Sequence, residues 1–98
     1  MKQYKFLVDV SAISATEMQR AITTLPDKRL KVERLVAFAK KYGCLPQSQI
    51  ILKRTGPESF NLVNGSVYLV AAEESKLEMV DALVFTDDEI LDDLMDSI

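Results

Sequence analysis

The chain has 98 residues, 48% of them hydrophobic and 28% charged, which fits one small globular domain and excludes disorder along the whole chain. Its apolar runs fall far short of the roughly 20 residues that a membrane-spanning helix needs, and no signal peptide is recognisable, so we expect no membrane contact and a cytoplasmic location. One cysteine and no histidine exclude an internal disulfide and remove the commonest zinc ligand and general base.

The charges are unevenly distributed. All 12 lysines and arginines and 9 of the 15 acidic residues lie in residues 1–86, whereas residues 87–98 carry 6 acids and no base. The formal net charge of −3 therefore combines a mildly basic body with a strongly acidic end. We predict a domain over residues 1–86 and an acidic, amphipathic tail helix over residues 87–98.

The beginning of the chain predicts a strand and a short helix. Residues 4–10 alternate with period two, which is typical of a strand. The side chains expected on its apolar face are Tyr4, Phe6, Val8 and Val10. Ser14 and Glu17 have the spacing of a capping box, which predicts a helix from Ala15 to about Thr24. The Leu25-Pro26-Asp27 stretch is expected to end it.

A longer helix is predicted over residues 28–42, and Gly43 is expected to end it. Its apolar stripe consists of Val32, Leu35, Val36, Ala39 and Tyr42. Its basic residues are Lys28, Arg29, Lys31, Arg34, Lys40 and Lys41. These basic residues form either a solvated surface or a nucleic-acid footprint, and the solvated surface is the simpler interpretation because Glu33 interrupts them and no aromatic residues interleave. Cys44, which follows the glycine, is expected to be a half-buried structural thiol and not a nucleophile.

The second half predicts a hairpin, a short buried helix, a strand and a final helix. The hairpin strands are expected at residues 49–53 and 60–63, the helix at 67–75 and the last strand at 79–85. A second capping box at residues 86–89 opens the tail helix. The predicted order is β-α-α-β-β-α-β-α, an α/β domain with a mixed α+β sheet.

Residues 59–85, SFNLVNGSVYLVAAEESKLEMVDALVF, resemble the ParB/sulfiredoxin-like superfamily, in which a strand leads through Asp/Asn-Gly into a basic box, an alanine-rich helix and a closing strand. The upstream stretch RLVAFAKKYGCLPQSQIIL is similar to the family's preceding helix, glycine and strand. The residues in register are Leu62, Asn64, Gly65, Leu69, Ala71, Ala72, Leu77, Glu78, Val80 and Ala82. The resemblance covers residues 30–85 and implies the family's fold.

The chain departs from the family at the residues that bind phosphate or carry out catalysis in its members. In ParB-type members the basic box binds nucleotide phosphates, and in sulfiredoxins a cysteine directly after the glycine performs the chemistry. The matching positions here are Ser66 for that cysteine, Tyr68 for the arginine of the box, and Val67 for a residue that is often histidine or arginine. The result is a degenerate box at Asn64, Gly65, Ser66 and Tyr68, with no catalytic residue, cofactor or metal. Asn64-Gly65 is interpreted as a turn that needs a positive backbone angle, and the open alternative is a residual ligand site.

Two functional hypotheses follow. The first is a non-enzymatic interaction or regulatory protein, of the phage or plasmid kind in which small ParB-like domains recur. It would bind a protein partner through the remodelled pocket and the tail, or its tail would compete with nucleic acid for the basic helix face. The tail residues concerned are Asp87, Asp88, Ile90, Asp92, Asp93, Leu94 and Asp96, although the apolar stripe of the tail can instead cap the core. The second hypothesis is a nucleotide-dependent DNA-binding or nuclease protein of the ParB type, in which Lys53, Arg54 or a neighbouring subunit of a homo-oligomer replaces the lost arginine.

Overall fold

The computed structural model describes residues 4–46 and 49–85, so the predicted tail helix lies outside the described residues. Within these ranges five strands and three α-helices follow one another. They are β1 (Tyr4–Asp9), β2 (Ile13–Ser14), α1 (Glu17–Ile22), α2 (Pro26–Tyr42), β3 (Ile51–Gly56), β4 (Ser59–Asn64), α3 (Ser66–Glu74) and β5 (Met79–Phe85). A short 3-10 helix, Val10–Ala12, joins β1 to β2. None of the helices in the described ranges is long and apolar enough to cross a membrane.

The strands form one mixed sheet in the order β1-β5-β3-β4-β2. β5 is antiparallel to β1 and parallel to β3, while β3 and β4 form the predicted antiparallel hairpin. The short strand β2 adds to the free edge of β4 in parallel, through the pairs Ile13 with Phe60 and Ser14 with Asn61. The α/β mixed sheet and the order of the other predicted elements up to β5 are confirmed. Strand β2 was not predicted, because two residues are too few for a periodic pattern.

The core has two parts that are stacked through α3. One side of α3 packs Leu69 and Ala72 against the sheet, beside Ile50 and Leu52, which are almost completely buried. The other side of α3 packs against α2, in a cluster formed by Val32, Leu35, Val67 and Ala71. Helix α3 is therefore the middle layer between the sheet and α2, which explains its alanine-rich, apolar sequence.

The helix boundaries in the first third differ from the sequence prediction. Thr16, and not Ser14, caps α1: its hydroxyl accepts the backbone N–H of Gln19 at 3.1 Å, and the Gln19 side chain accepts the backbone N–H of Thr16 at 2.8 Å. The capping-box pattern is thus shifted by two residues, because Ser14 is occupied in strand β2. Pro26 does not lie between two helices but is the first residue of α2, where its fixed φ and missing N–H are well tolerated.

Three side chains are more exposed than predicted. Tyr42 is 57% exposed because it lies in the last turn of α2, where its ring packs at a tilt against Phe38 with 4.5 Å between the ring centroids. Phe6 is 51% exposed, although its neighbour Val8 on the same face of β1 is buried. Cys44 is exposed and not half-buried, because it directly follows the left-handed Gly43 at the exposed end of α2.

Candidate functional site

A cavity of about 340 Å³ lies at the N-terminus of α3, where the β4 strand turns into the helix. Its lining residues come from four parts of the chain and are Ile22, Lys28, Lys31, Gln49, Asn64, Gly65, Ser66, Val67 and Tyr68. All four residues of the predicted degenerate box are therefore brought together at one cavity. Ile22 and Gln49 were not predicted to lie here, because they are distant from the box in sequence and only the tertiary fold brings them to the cavity.

Gly65 fixes the position of this turn. Its φ of 98° lies in the left-handed region, and a Cβ atom here would come within 2.8 Å of the Gln49 carbonyl oxygen and 2.9 Å of the Ile50 Cα. The Asn64 side-chain oxygen accepts the backbone N–H of Gly65 at 2.9 Å, so this asparagine stabilises the turn locally. The predicted need for a positive backbone angle applies to Gly65, whereas Asn64 has an ordinary negative φ.

The residues after the glycine are used for packing. Val67 is buried between α2 and α3, so the position that the resemblance associates with a basic residue contributes to the core. Tyr68 is half-buried and contacts both parts of the core. Ser66 is half-buried at the start of α3 and lines the cavity.

Positive charge reaches the cavity from α2. Lys28 and Lys31, one helical turn apart, line it together with the box residues. The Lys31 ammonium lies 5.3 Å from the centroid of the Tyr68 ring, within the range of a cation–π interaction. Backbone N–H groups at a helix N-terminus and nearby ammonium groups are donors that can bind an anion. These lysines were predicted only as part of a basic helix face, and their position beside the box was not predicted.

The rest of the predicted basic face does not converge on the cavity. The guanidinium of Arg29 forms two hydrogen bonds with the Glu74 carboxylate, at 2.5 and 2.8 Å, and lies 3.6 Å from a Glu33 oxygen. The Lys41 ammonium lies 5.3 Å from the ring centroid of Tyr42, at the opposite end of α2. Arg34 and Lys40 are exposed elsewhere on this helix. The described basic residues of α2 are therefore divided between separate surfaces.

Two ion pairs attach α3 to its neighbouring helices. Arg20 of α1 forms a bidentate pair with Glu73, with nitrogen–oxygen distances of 2.7 and 3.1 Å, and Arg29 of α2 pairs with Glu74 in the same way. The hydrogen bonds from Arg29 hold the pKa of Glu74 below its ordinary value, and the same bonds raise the pKa of Arg29. These carboxylates thus position α3. Among the described residues, no three carboxylate or thiol side chains converge into a metal-binding group.

Arg54, proposed above as a replacement for the lost arginine, lies away from this cavity. It pairs with Phe60 near the β3–β4 turn, whereas Asn64 pairs with Ile51 at the other end of the hairpin. Its guanidinium donates to the carbonyl oxygens of Gly56 and Pro57 at 3.0 and 3.1 Å. Within this chain Arg54 therefore stabilises its own turn.

No family model matches the sequence, and no curated protein matches it significantly. Solved structures do match. Sulfiredoxin from Arabidopsis thaliana is 15% identical, with a TM-score of 0.63 over 93% of this chain and 97% of that chain. The C-terminally truncated chromosome-partitioning protein ParB from Caulobacter crescentus, complexed with CTP-gamma-S, is 16% identical, with a TM-score of 0.62 over 91% of this chain; this chain spans 49% of that ParB chain. Identities this low establish the architecture alone: the chain has a ParB/sulfiredoxin-like fold.

Proposed function

We propose that this chain is a non-enzymatic interaction and regulatory protein that binds a protein partner through the rim of the α3 cavity and through its acidic segment 87–98. The observation that carries the proposal is that the side chains at the box positions Val67 and Tyr68 pack into the core. Val67 is buried against α2, and Tyr68 packs into both parts of the core with the Lys31 ammonium 5.3 Å from its ring. Side chains that are held by packing in this way are suited to shaping a surface and not to transferring protons or groups.

The rim offers features that protein partners commonly use. Ile22 is 42% exposed beside the cavity, and Lys28 and Lys31 are exposed on the neighbouring helix. An exposed apolar side chain with flanking charges suits a partner that supplies an apolar anchor and carboxylates. The acidic segment suits a basic patch on the same partner. The basic rim and the acidic segment would then both contribute to the affinity for that partner.

The test is quantitative co-purification from the native host. The baits are the full chain, a chain ending at Thr86, the double variant Lys28→Ala/Lys31→Ala, and the control Arg34→Ala, which changes an exposed cation of the same helix outside the cavity. We expect one protein to be enriched with the full chain and the control but reduced at least about tenfold with the double variant and with the shortened chain. Equal recovery with all four folded baits would contradict the proposal.

A second candidate is nucleotide binding, and it is favoured by the presence of Lys28 and Lys31 at the cavity. In this alternative, these lysines replace the charge of the arginine that the box lacks, and the α3 N-terminus binds a phosphate. Equilibrium binding of labelled CTP and ATP, with and without magnesium, tests it. Binding that is lost in Lys31→Ala and retained in Arg34→Ala would support this candidate, and absence of binding at millimolar nucleotide would exclude it.

A further inference from the structure

The two edges of the described sheet differ in length. At one edge lies β2, which has only two residues, Ile13 and Ser14. At the other edge lies β1, whose six residues pair with β5 in an unbroken register. No strand among the described residues pairs with the outer side of β1. A long, regular edge strand is a template for pairing with another chain, whereas a very short edge strand is not.

The side chains of β1 are exposed on both faces of the sheet. Lys5, Leu7 and Asp9 point away from α3, and all three are exposed, Leu7 by 64%. Phe6 lies on the side of α3, next to the buried Val8, and is 51% exposed. Of the features that protect edge strands from pairing, β1 has charged side chains but neither a proline nor a bulge. The arrangement of its charges therefore decides which strand can pair with it.

These charges make β1 complementary to itself. In antiparallel pairing, directly opposed side chains lie on the same face, with Cβ atoms about 4.5–5.5 Å apart. If β1 pairs with a second β1 about Leu7, Lys5 of each copy is opposite Asp9 of the other. Phe6 is then opposite Val8, and the two exposed Leu7 side chains meet at the centre.

The neighbouring antiparallel registers lack this complementarity. Pairing about Phe6 places Lys5 opposite Leu7, and pairing about Val8 places Asp9 opposite Leu7. In both of these registers a charged side chain faces an apolar one. Lys5 and Asp9 form no ion pair with another described residue, so both are available to a second chain. Charge complementarity thus selects the register about Leu7 and a second copy as the occupant of this edge.

We propose that two copies of this chain form a two-fold symmetric dimer through antiparallel pairing of their β1 strands, centred on Leu7. The same surface of both copies takes part, as in other two-fold dimers. Two five-stranded sheets then continue into one sheet, and both α2–α3 layers lie on the same side of it, because opposed residues share a face. Each copy contributes one strand, so the interface is small and the dimer depends on concentration. This inference goes beyond the proposed function and does not depend on a protein partner.

Sedimentation equilibrium of charge-reversal variants of the full chain tests the inference. In Lys5→Asp both members of each opposed pair are acidic, and in Asp9→Lys both are basic. We expect the unmodified chain to dimerise at concentrations up to about 1 mM, and each single variant to dimerise at least about tenfold more weakly. An equimolar mixture of the two variants again brings opposite charges together in both pairs, so it should form a mixed dimer. The control Lys40→Asp changes an exposed lysine of α2 and should dimerise like the unmodified chain.

Three results would overturn the inference in variants whose circular dichroism spectrum is unchanged. They are an unmodified chain that stays monomeric at every concentration, a dimer that neither single variant weakens, and a mixture that does not restore the dimer. Because no other protein is present, these results are independent of the co-purification experiment.

Disulfide trapping tests the register directly. In a Cys44→Ser background, Leu7→Cys places the two thiols opposite each other at the two-fold axis. Opposed Cα atoms lie about 4.5–5.5 Å apart in antiparallel strands, within the range that a disulfide spans. The matched control is Val63→Cys, which is exposed on the same face of the sheet but on β4. In a glutathione redox buffer we expect Leu7→Cys to form a covalent dimer at least about tenfold faster than Val63→Cys, and equal rates would overturn the inference.

Discussion

Replacement of Gly65 by alanine tests how the α3 cavity is built. A side chain at a left-handed φ destabilises the folded state by about 1–2 kcal/mol. Alanine also lowers the conformational entropy of the unfolded chain, which offsets about 0.4–1 kcal/mol of this loss. At Gly65 the new Cβ atom also meets two backbone atoms, the Gln49 oxygen at 2.8 Å and the Ile50 Cα at 2.9 Å, which cannot rotate away. We assign about 2 kcal/mol to this backbone displacement, so Gly65→Ala is expected to lower the free energy of unfolding by about 3 kcal/mol in total.

Gly43 provides the matched control. Its φ of 76° is also left-handed, but a Cβ atom there has no neighbour within 4 Å. Gly43→Ala should therefore carry the backbone penalty alone, about 1 kcal/mol. In urea unfolding monitored by circular dichroism, with a slope of about 1 kcal/mol per molar urea, the two variants should differ in midpoint by about 2 M. Equal midpoints would refute the close contact between Gly65 and the Gln49–Ile50 backbone.

Three further predictions concern caps, packing and charge. Thr16→Ala should lower the free energy of unfolding by about 1 kcal/mol because it removes the capping box of α1, whereas Ser14→Ala should have little effect; the reverse order in urea unfolding would place the cap at Ser14. Leu35→Ala should lower the free energy of unfolding by about 2–5 kcal/mol because it opens a cavity between α2 and α3. Leu30→Ala, at an exposed position of the same helix, should change it little. Similar losses in the two variants would contradict the layered core. Glu74→Gln should lower the melting temperature slightly at pH 7. This difference should disappear as the pH falls through the lowered pKa of Glu74. The reason is that an acid with a depressed pKa stabilises the fold above its unfolded pKa and ceases to do so once it is protonated. A difference that is unchanged at pH 2, or unchanged in high salt, would show that the ion pair is not its cause.

The sequence predicted the elements that have a long periodic pattern. Strand β5 has its predicted bounds, and α3 and the β3–β4 hairpin lie within a few residues of theirs. All three elements have strong apolar spacing, and Gly56, Pro57 and Gly65 mark the turn of the hairpin and the start of α3. The resemblance that these residues carry also predicted the architecture, which the similarity to sulfiredoxin and ParB confirms.

Local sequence was insufficient where tertiary pairing decided the outcome. Ser14 and Thr16 are both residue types that cap helices. Thr16 caps α1 because Ser14 pairs with Asn61 in the sheet. The lysines at the cavity could not be assigned from the sequence either. Lys28 and Lys31 precede the box by more than thirty residues, and only the packing of α2 on α3 brings them beside Tyr68.

If the box positions serve packing and recognition and not nucleotide chemistry, the unmodified chain should not bind CTP. The most direct measurement is a calorimetric titration of CTP, with magnesium, into the full chain and into the variant Tyr68→Arg, which restores the cation that the resemblance associates with this position. We predict no saturable heat with the unmodified chain at millimolar CTP and saturable heat with Tyr68→Arg. Saturable binding of CTP by the unmodified chain would contradict the account.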